Sequence, residues 1–346
     1  MKLNKVLFAA LLSISSVCYG YSQQRGNTES LFQFSLFPRL GTNGPLEKEY
    51  TNTISINLTV GVSNNENAFS CAGLANIIRN NAQGLQIAGA TNYVGNEGNG
   101  VLLSGLVNIV GNNYNGLQIT GGASHAQNTS GVQIAGLYNA AKNVEGVQIA
   151  AGANHAKDID GLQVAGLYNV AKDVKGVQLA IVNVAENNNS PIGLVNIIKN
   201  GEKGLSLSYD MTGSAVLTFR SGGKYTYGII GVGYNHKVSN NPILAECGIG
   251  AHIPCCSWFR INNELKIATI GTSSQKPVLN AGYSLLPGFK IGKHVELFGG
   301  VNINYMTTSD INNNTLFTNH ALWEQNSGTQ LQQVYIGYQV GIQYIF

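Results

Sequence analysis

The chain has 346 residues, only 11% of them charged, with 43 glycines and a net charge of +3. A typical soluble domain carries roughly 25% charged residues, so much of this surface is expected to face something other than bulk water. The small positive balance, without a Lys/Arg cluster, excludes a phosphate-tracking nucleic-acid binder.

The first 20 residues have the parts of a secretory signal: Lys2 and Lys5, the apolar run VLFAALLSISSV, and Gly20 at a cleavage site. Cys18 as a lipidation site is the weaker reading, because Val17 stands where a small residue is normally wanted. Beyond the signal no stretch approaches the roughly 20 apolar residues of a membrane helix, so any crossing must use strands. The mature chain, 21–346, is read as a single β-barrel exported to the cell outer membrane. Its cysteines, Cys71, Cys247, Cys255 and Cys256, permit disulfides without specifying a pairing.

From about 68 to 204 the chain repeats itself. Units open at Gly84, Gly100, Gly116, Gly131, Gly146, Gly161 and Gly176, and an asparagine follows eight residues on at Asn92, Asn108, Asn139, Asn154 and Asn169. Ser124 interrupts that row, and Asn183 falls one residue early. In the unit at Gly161, Leu162, Val164, Gly166, Tyr168 and Val170 share one face, with Gln163, Ala165, Leu167, Asn169 and Ala171 opposite. His125 and His155, two units apart, show that alternate units match best, which suits antiparallel hairpins.

From 205 to 346 nonrepetitive strands alternate more cleanly. Ile336, Tyr338, Val340, Ile342, Tyr344 and Phe346 form an apolar face; upstream, Arg260, Glu264, Lys266 and Glu296 lie opposite such faces. The preferred architecture is an all-β, antiparallel up-and-down transmembrane barrel of roughly 16 to 20 strands, built partly from the 15-to-16-residue repeats. The alternative is a β-solenoid repeat region, its asparagines stacked as a ladder, joined to a C-terminal sheet or small barrel. In the large barrel the candidate lumen-lining residues are Gln86, Gln118, Gln133, Gln148 and Gln163 with Asn92, Asn108, Asn139, Asn154 and Asn169. The segment 307–330 is a candidate external recognition loop, with Asp310, Asn312, His320 and Trp323 as its contact residues.

Catalytic motifs are absent: there is no GxSxG, HExxH, Walker loop or CxxC, and DINNN at Asp310 lacks the glycine and distal glutamate of a calcium loop. No catalytic residue, cofactor or metal is expected. An envelope hydrolase is the low-ranked alternative, drawing on His236, His252, His294 or His320.

The unit GVQIAGLYNVAKDVK resembles surface-repeat proteins of Gram-negative bacteria, and the C-terminal half, closing on an aromatic residue, resembles outer-membrane β-barrel proteins. The resemblance implies an exported, envelope-associated protein of unassigned activity, and the barrel reading makes outer-membrane lipid its expected partner. The expected role is passive, either a diffusion pore for small polar solutes or a structural surface element. The competing role is a secreted or surface-attached solenoid that binds a partner and forms no pore.

Overall fold

The computed structural model describes residues 28–238, 242–271, 277–309 and 315–346. The expected signal segment, Asp310 and Asn312 lie outside these residues.

Each repeat makes one full coil. Asn143–Ala150 is a long strand, a two-residue corner turns the chain, Ala153–His155 is a short strand, and a second corner leads into the next long strand, Asp158–Ala165. That strand lies parallel to the first, with Gly146 opposite Gly161 and Gln148 opposite Gln163. Among the described residues the long strands, with the two-residue strand Leu40–Gly41 at their edge, build a 12-stranded sheet and the short strands a 10-stranded one. The repeat region is therefore the parallel solenoid of the second architecture, and it contributes no strand to a barrel of 16 to 20.

The reason is register. A period equal to one coil brings each residue back above its own copy, about 4.8 Å away. A primary amide carries both donor and acceptor, so it can bond to its copies without limit. Nδ2 of Asn139 donates to Asn154, Asn154 to Asn169, Asn169 to Asn183 and Asn183 to Asn196, at 2.9 to 3.1 Å. A second ladder runs from Gln178 through Gln163, Gln148 and Gln133 to Gln118 at 2.8 to 2.9 Å. Antiparallel pairing would set unlike residues side by side and leave these amides buried without partners, at about 1–3 kcal/mol each. The rest of the core is thin: Val144, Ile159 and Val174 alternate with Ala141, Ala156 and Ala171.

The two-unit period has a different origin from hairpin reversal. On the outer face of the short-strand sheet Tyr138 lies beside Ala153, which lies beside Tyr168, and His155 lies between Ala140 and Val170. At 4.8 Å spacing a large side chain needs a smaller neighbour, so size alternates from coil to coil.

The array also begins earlier than its clean centre, with Thr28–Phe37 paired in parallel to Tyr50–Asn57. Its first edge is covered by Leu40–Gly41, antiparallel to Thr28–Phe37, and by a 3-10 turn at Gly44–Glu49. Covering the edge blocks strand addition by another chain.

Eight antiparallel strands follow: Lys203–Asp210, Ser214–Gly222, Thr226–Asn235, Ile243–Pro254, Phe259–Ile270, Val278–Ile291, Val295–Thr308 and Leu331–Ile345. The first pairs with the last, from Gly204 opposite Ile345 to Asp210 opposite Gln339, which closes a barrel. The alternation read from the sequence gives its two faces. Val301, Ile303, Ile336, Tyr338, Val340 and Ile342 are exposed outside, whereas Glu296, Glu264, Arg260 and Asn262 are buried inside.

Candidate functional site

An eight-stranded barrel is just wide enough for its inward side chains to fill it, and here they fill it with paired charges. At the mouth nearer the solenoid, Arg260 donates to both carboxylate oxygens of Glu202, at 2.9 and 2.6 Å, and its guanidinium also pairs with Glu296. Lys290 reaches Glu202 at 3.3 Å. Deeper in, Arg220 pairs with Glu264 at 2.7 Å, lies 4.4 Å from the Phe298 ring centre and donates to Gln343 at 2.9 Å. Lys266 bridges Glu264 at 3.3 Å and Glu246 at 3.8 Å, while the Tyr227 and Thr218 hydroxyls donate to Glu264 and Glu246. Buried charges are tolerated when each has an opposite partner and further hydrogen bonds, and in this cluster Arg220, Arg260 and Lys266 balance Glu246, Glu264 and Glu296.

The far mouth is closed by apolar packing. Val216, Leu244, Ile270, Val278, Met306 and Tyr335 form a buried cluster into which Leu316 inserts from the long loop. Thr318 pins that loop, its N–H donating to Gln333 Oε1 at 3.0 Å and its carbonyl accepting from Gln333 Nε2 at 2.6 Å. Between the two ends lies a cavity of about 40 Å³, bordered by Glu246, Lys266 and Gln339.

The ten residues expected to line a lumen, Gln86, Gln118, Gln133, Gln148, Gln163, Asn92, Asn108, Asn139, Asn154 and Asn169, are all fully buried. They lie inside the solenoid coils, bonded to one another and to backbone carbonyls, because the alternation that would aim them into a barrel also aims them into a coil. His320 and Trp323 are exposed, with Trp323 in a short strand, Ala321–Asn326, paired with the last barrel strand. That loop is thus partly a plug and partly free surface. Arg220 and Glu246, central to the interior cluster, match no catalytic or binding motif. The signal for Arg220 is in SAVLTFRSG, where it shares a phase with Val216 and Thr218 against Leu217 and Phe219, and that for Glu246 is in ILAECGIGAHIP, where it shares a phase with Leu244. Cys71, Cys247, Cys255 and Cys256 are free thiols. Among the described residues no three His, Cys, Asp or Glu side chains converge as metal ligands.

The solenoid has two unlike edges. Along one corner a groove of about 1320 Å³ is lined by Asn113, Asn128, Glu145, Asp158, Asp160 and Lys175 with their neighbours. An exposed amide row crosses it, in which Asn143 pairs with Asn128 and Asn128 donates to Asn113. The opposite corner carries leucine and glycine.

In the first coils a buried carboxylate stands in the core column that Ala82, Tyr114 and Val144 occupy further along the array. Glu66 is buried, accepting from Ser55 Oγ at 2.8 and 2.9 Å and from Asn52 Nδ2 at 3.2 Å. Burial pushes its carboxyl from the ordinary 4.5 up to about 7, against the opposing pull of Asn52, Ser55 and Ser63. A raised carboxyl pKa means that the folded chain holds the proton more tightly than the unfolded chain. The stabilisation is therefore complete below about pH 4.5 and is lost as pH rises through about 7, a difference of about 3 kcal/mol. Amide hydrogen exchange in the first coils is expected to slow between pH 8 and pH 5 after correction for intrinsic rates, and Glu66→Gln is expected to remove that dependence.

No family model and no curated protein matches this chain. Among solved structures, one described as "De novo design of transmembrane beta-barrels" is similar with a TM-score of 0.25 and 13% identity, covering 42% of this chain and 93% of that one.

Proposed function

We propose that this protein is a non-conducting outer-membrane β-barrel with a passive, structural role, holding a β-solenoid at the membrane. The observation that carries this reading is the filled interior. The inward charges of this barrel pair with one another, and the cavity of about 40 Å³ beside Glu246 and Lys266 has room for about one water.

The membrane half of the reading is supported by the outer face. Leu207, Leu217, Val232, Leu265, Ile267 and Val301 are exposed there, and aromatic residues stand near both rims. Trp258, Phe289 and Tyr344 lie toward the solenoid side, and Tyr209, Tyr234 and Tyr305 toward the other. Apolar bands flanked by aromatic girdles are how membrane barrels meet lipid. Membrane barrels also have short periplasmic turns and longer external loops. The turns at 223–225, 255–258 and 292–294 are on the solenoid side; opposite are the short turn 211–213 and the connections 236–242, 271–277 and 309–330, each longer than any turn on the solenoid side. By that rule the solenoid is periplasmic and the loop bearing His320 and Trp323 is external.

In planar bilayers the purified protein is expected to insert without unitary conductance steps. Regular steps in salt solution would overturn the closed-barrel reading and return a diffusion pore. Faster migration of the unboiled protein in SDS gels is the companion expectation for a compact barrel.

A further inference from the structure

Among the described residues nothing covers the solenoid's apolar corner. Leu58, Leu74, Leu106, Leu137, Leu167 and Ile181 stand there at 50% to 63% exposure. Their corners stack through backbone bonds: Leu106 N–H donates to Ala90 O at 2.9 Å, Leu137 N–H to Gly122 O at 2.9 Å and Leu167 N–H to Gly152 O at 3.0 Å. At about 4.8 Å per coil the row from Leu58 to Leu194 runs on the order of 40 Å. Ile119, Ile149 and Leu179 extend it over one flank and Tyr138, Tyr168 and Ile197 over the other.

Charge is segregated away from this edge. From each opening glycine to the end of the following short strand, as in Gly131–Ala140 or Gly161–Val170, there is no Asp, Glu, Lys or Arg. Lys142, Glu145, Lys157, Asp160, Lys172 and Lys175 all belong to the opposite corner. An uncovered apolar strip this long, opposite a charged one, marks an interface with lipid or protein.

The junction with the barrel decides between those occupants. The last coil packs on the outside of the second and third barrel strands, where Asn196 N–H donates to Ser221 Oγ at 3.0 Å and Thr226 Oγ1 donates to Pro191 O at 2.6 Å. Its corner residues, Gly193 and Leu194, lie so close to Gly228 that a Cβ there would sit 2.2 Å from each of their carbonyl oxygens. Gly228 shares its outward face with the exposed Ile230 and Val232. The leucine corner therefore runs directly into the apolar belt of the barrel.

We infer that the leucine corner of the solenoid rests against the acyl region of the bilayer, so that barrel belt and corner form one continuous lipid-facing surface while the charged corner faces water. This rests on the membrane reading of the barrel. The occupant is the lipid that surrounds the belt, since a second copy or another protein would have to displace that lipid where the corner meets Gly228. The arrangement is that of an interfacial amphipathic element made of β-coils instead of a helix.

The test uses the full chain in phosphatidylcholine vesicles with and without brominated phosphatidylcholine, which quenches tryptophan by contact. In a background of Trp258→Phe and Trp323→Phe, single tryptophans are introduced as Leu106→Trp, Leu137→Trp, Lys142→Trp and Val340→Trp, each checked for unboiled gel mobility. Brominated lipid is expected to quench Leu106→Trp, Leu137→Trp and the belt probe Val340→Trp at least twofold, and to leave Lys142→Trp unchanged. If Val340→Trp is quenched but Leu137→Trp behaves like Lys142→Trp, the barrel is inserted and the inference is overturned. Blue-shifted but unquenched emission from Leu137→Trp also overturns it, and identifies a protein cover such as a second copy. An unquenched Val340→Trp sinks the membrane reading itself and the inference with it.

Discussion

Replacing Arg220 with alanine is expected to cost about 3–5 kcal/mol and to abolish the SDS-resistant form of the barrel. Arg220 and Glu264 are both buried and lie 2.7 Å apart. Removing the cation leaves Glu264 with Lys266 at 3.3 Å and the Tyr227 hydroxyl at 3.0 Å, and gives the interior an excess negative charge. It also strips Phe298 of its cation and Gln343 of a donor. The double variant Arg220→Met, Glu264→Gln keeps most of the volume while removing both charges, so it is expected to recover much of the loss. Urea unfolding followed by gel mobility measures both. A single variant as stable as the parent, or a double variant worse than the sum of its parts, would contradict the ion-pair account.

Gly146→Ala is expected to unwind the centre of the solenoid while leaving the barrel compact. Gly146 has φ +134, and a Cβ there would lie 2.1 Å from the carbonyl oxygen of Gly131 in the coil below. Backbone strain at such a φ is of the order of 1–3 kcal/mol. The clash with a backbone atom adds to it, because the neighbouring coil has no flexible side chain to move aside. Limited trypsin digestion should open at Lys142 and Lys157 while unboiled gel mobility of the barrel fragment persists. Gly328→Ala is the control: its φ is +78 but nothing lies within 4 Å of the new Cβ, so only a small local cost of about 1 kcal/mol is expected.

Much of the fold was legible residue by residue. Alternation correctly separated Val301 and Ile303 from Glu296, and Leu265 and Ile267 from Glu264, because a strand's two faces are set by its own period of two. The same alternation correctly paired Gln163 with Ala165, Asn169 and Ala171 on one face. Leu167 departed from that face because it stands at the corner, where the chain leaves the sheet plane and its side chain points outward. What alternation could not say was what the face looked onto. Inside a coil and inside a barrel a glutamine obeys the same period, so Gln133 and Gln148 were assigned to a lumen when they bond to each other within the solenoid. The alternate-unit likeness of His125 and His155 was real, but it reflects side-chain crowding between parallel neighbours, not reversal of strand direction.

By itself, then, the sequence determined the all-β class, the repeat and its phase, the inward and outward faces of nearly every strand, and the segregation of charge to one part of each unit. These are local quantities, carried by residues within a few positions of one another. Only the tertiary structure decided that the repeats coil in parallel, that the barrel has eight strands, and that Arg220 meets Glu264 while Leu316 stops the far mouth. Those outcomes depend on which strand lies beside which, and pairing energies are nearly indifferent to sequence distance. Only the closed structure, in which stacked amides satisfy one another and buried charges find opposite partners, selects among the pairings that the alternation allows.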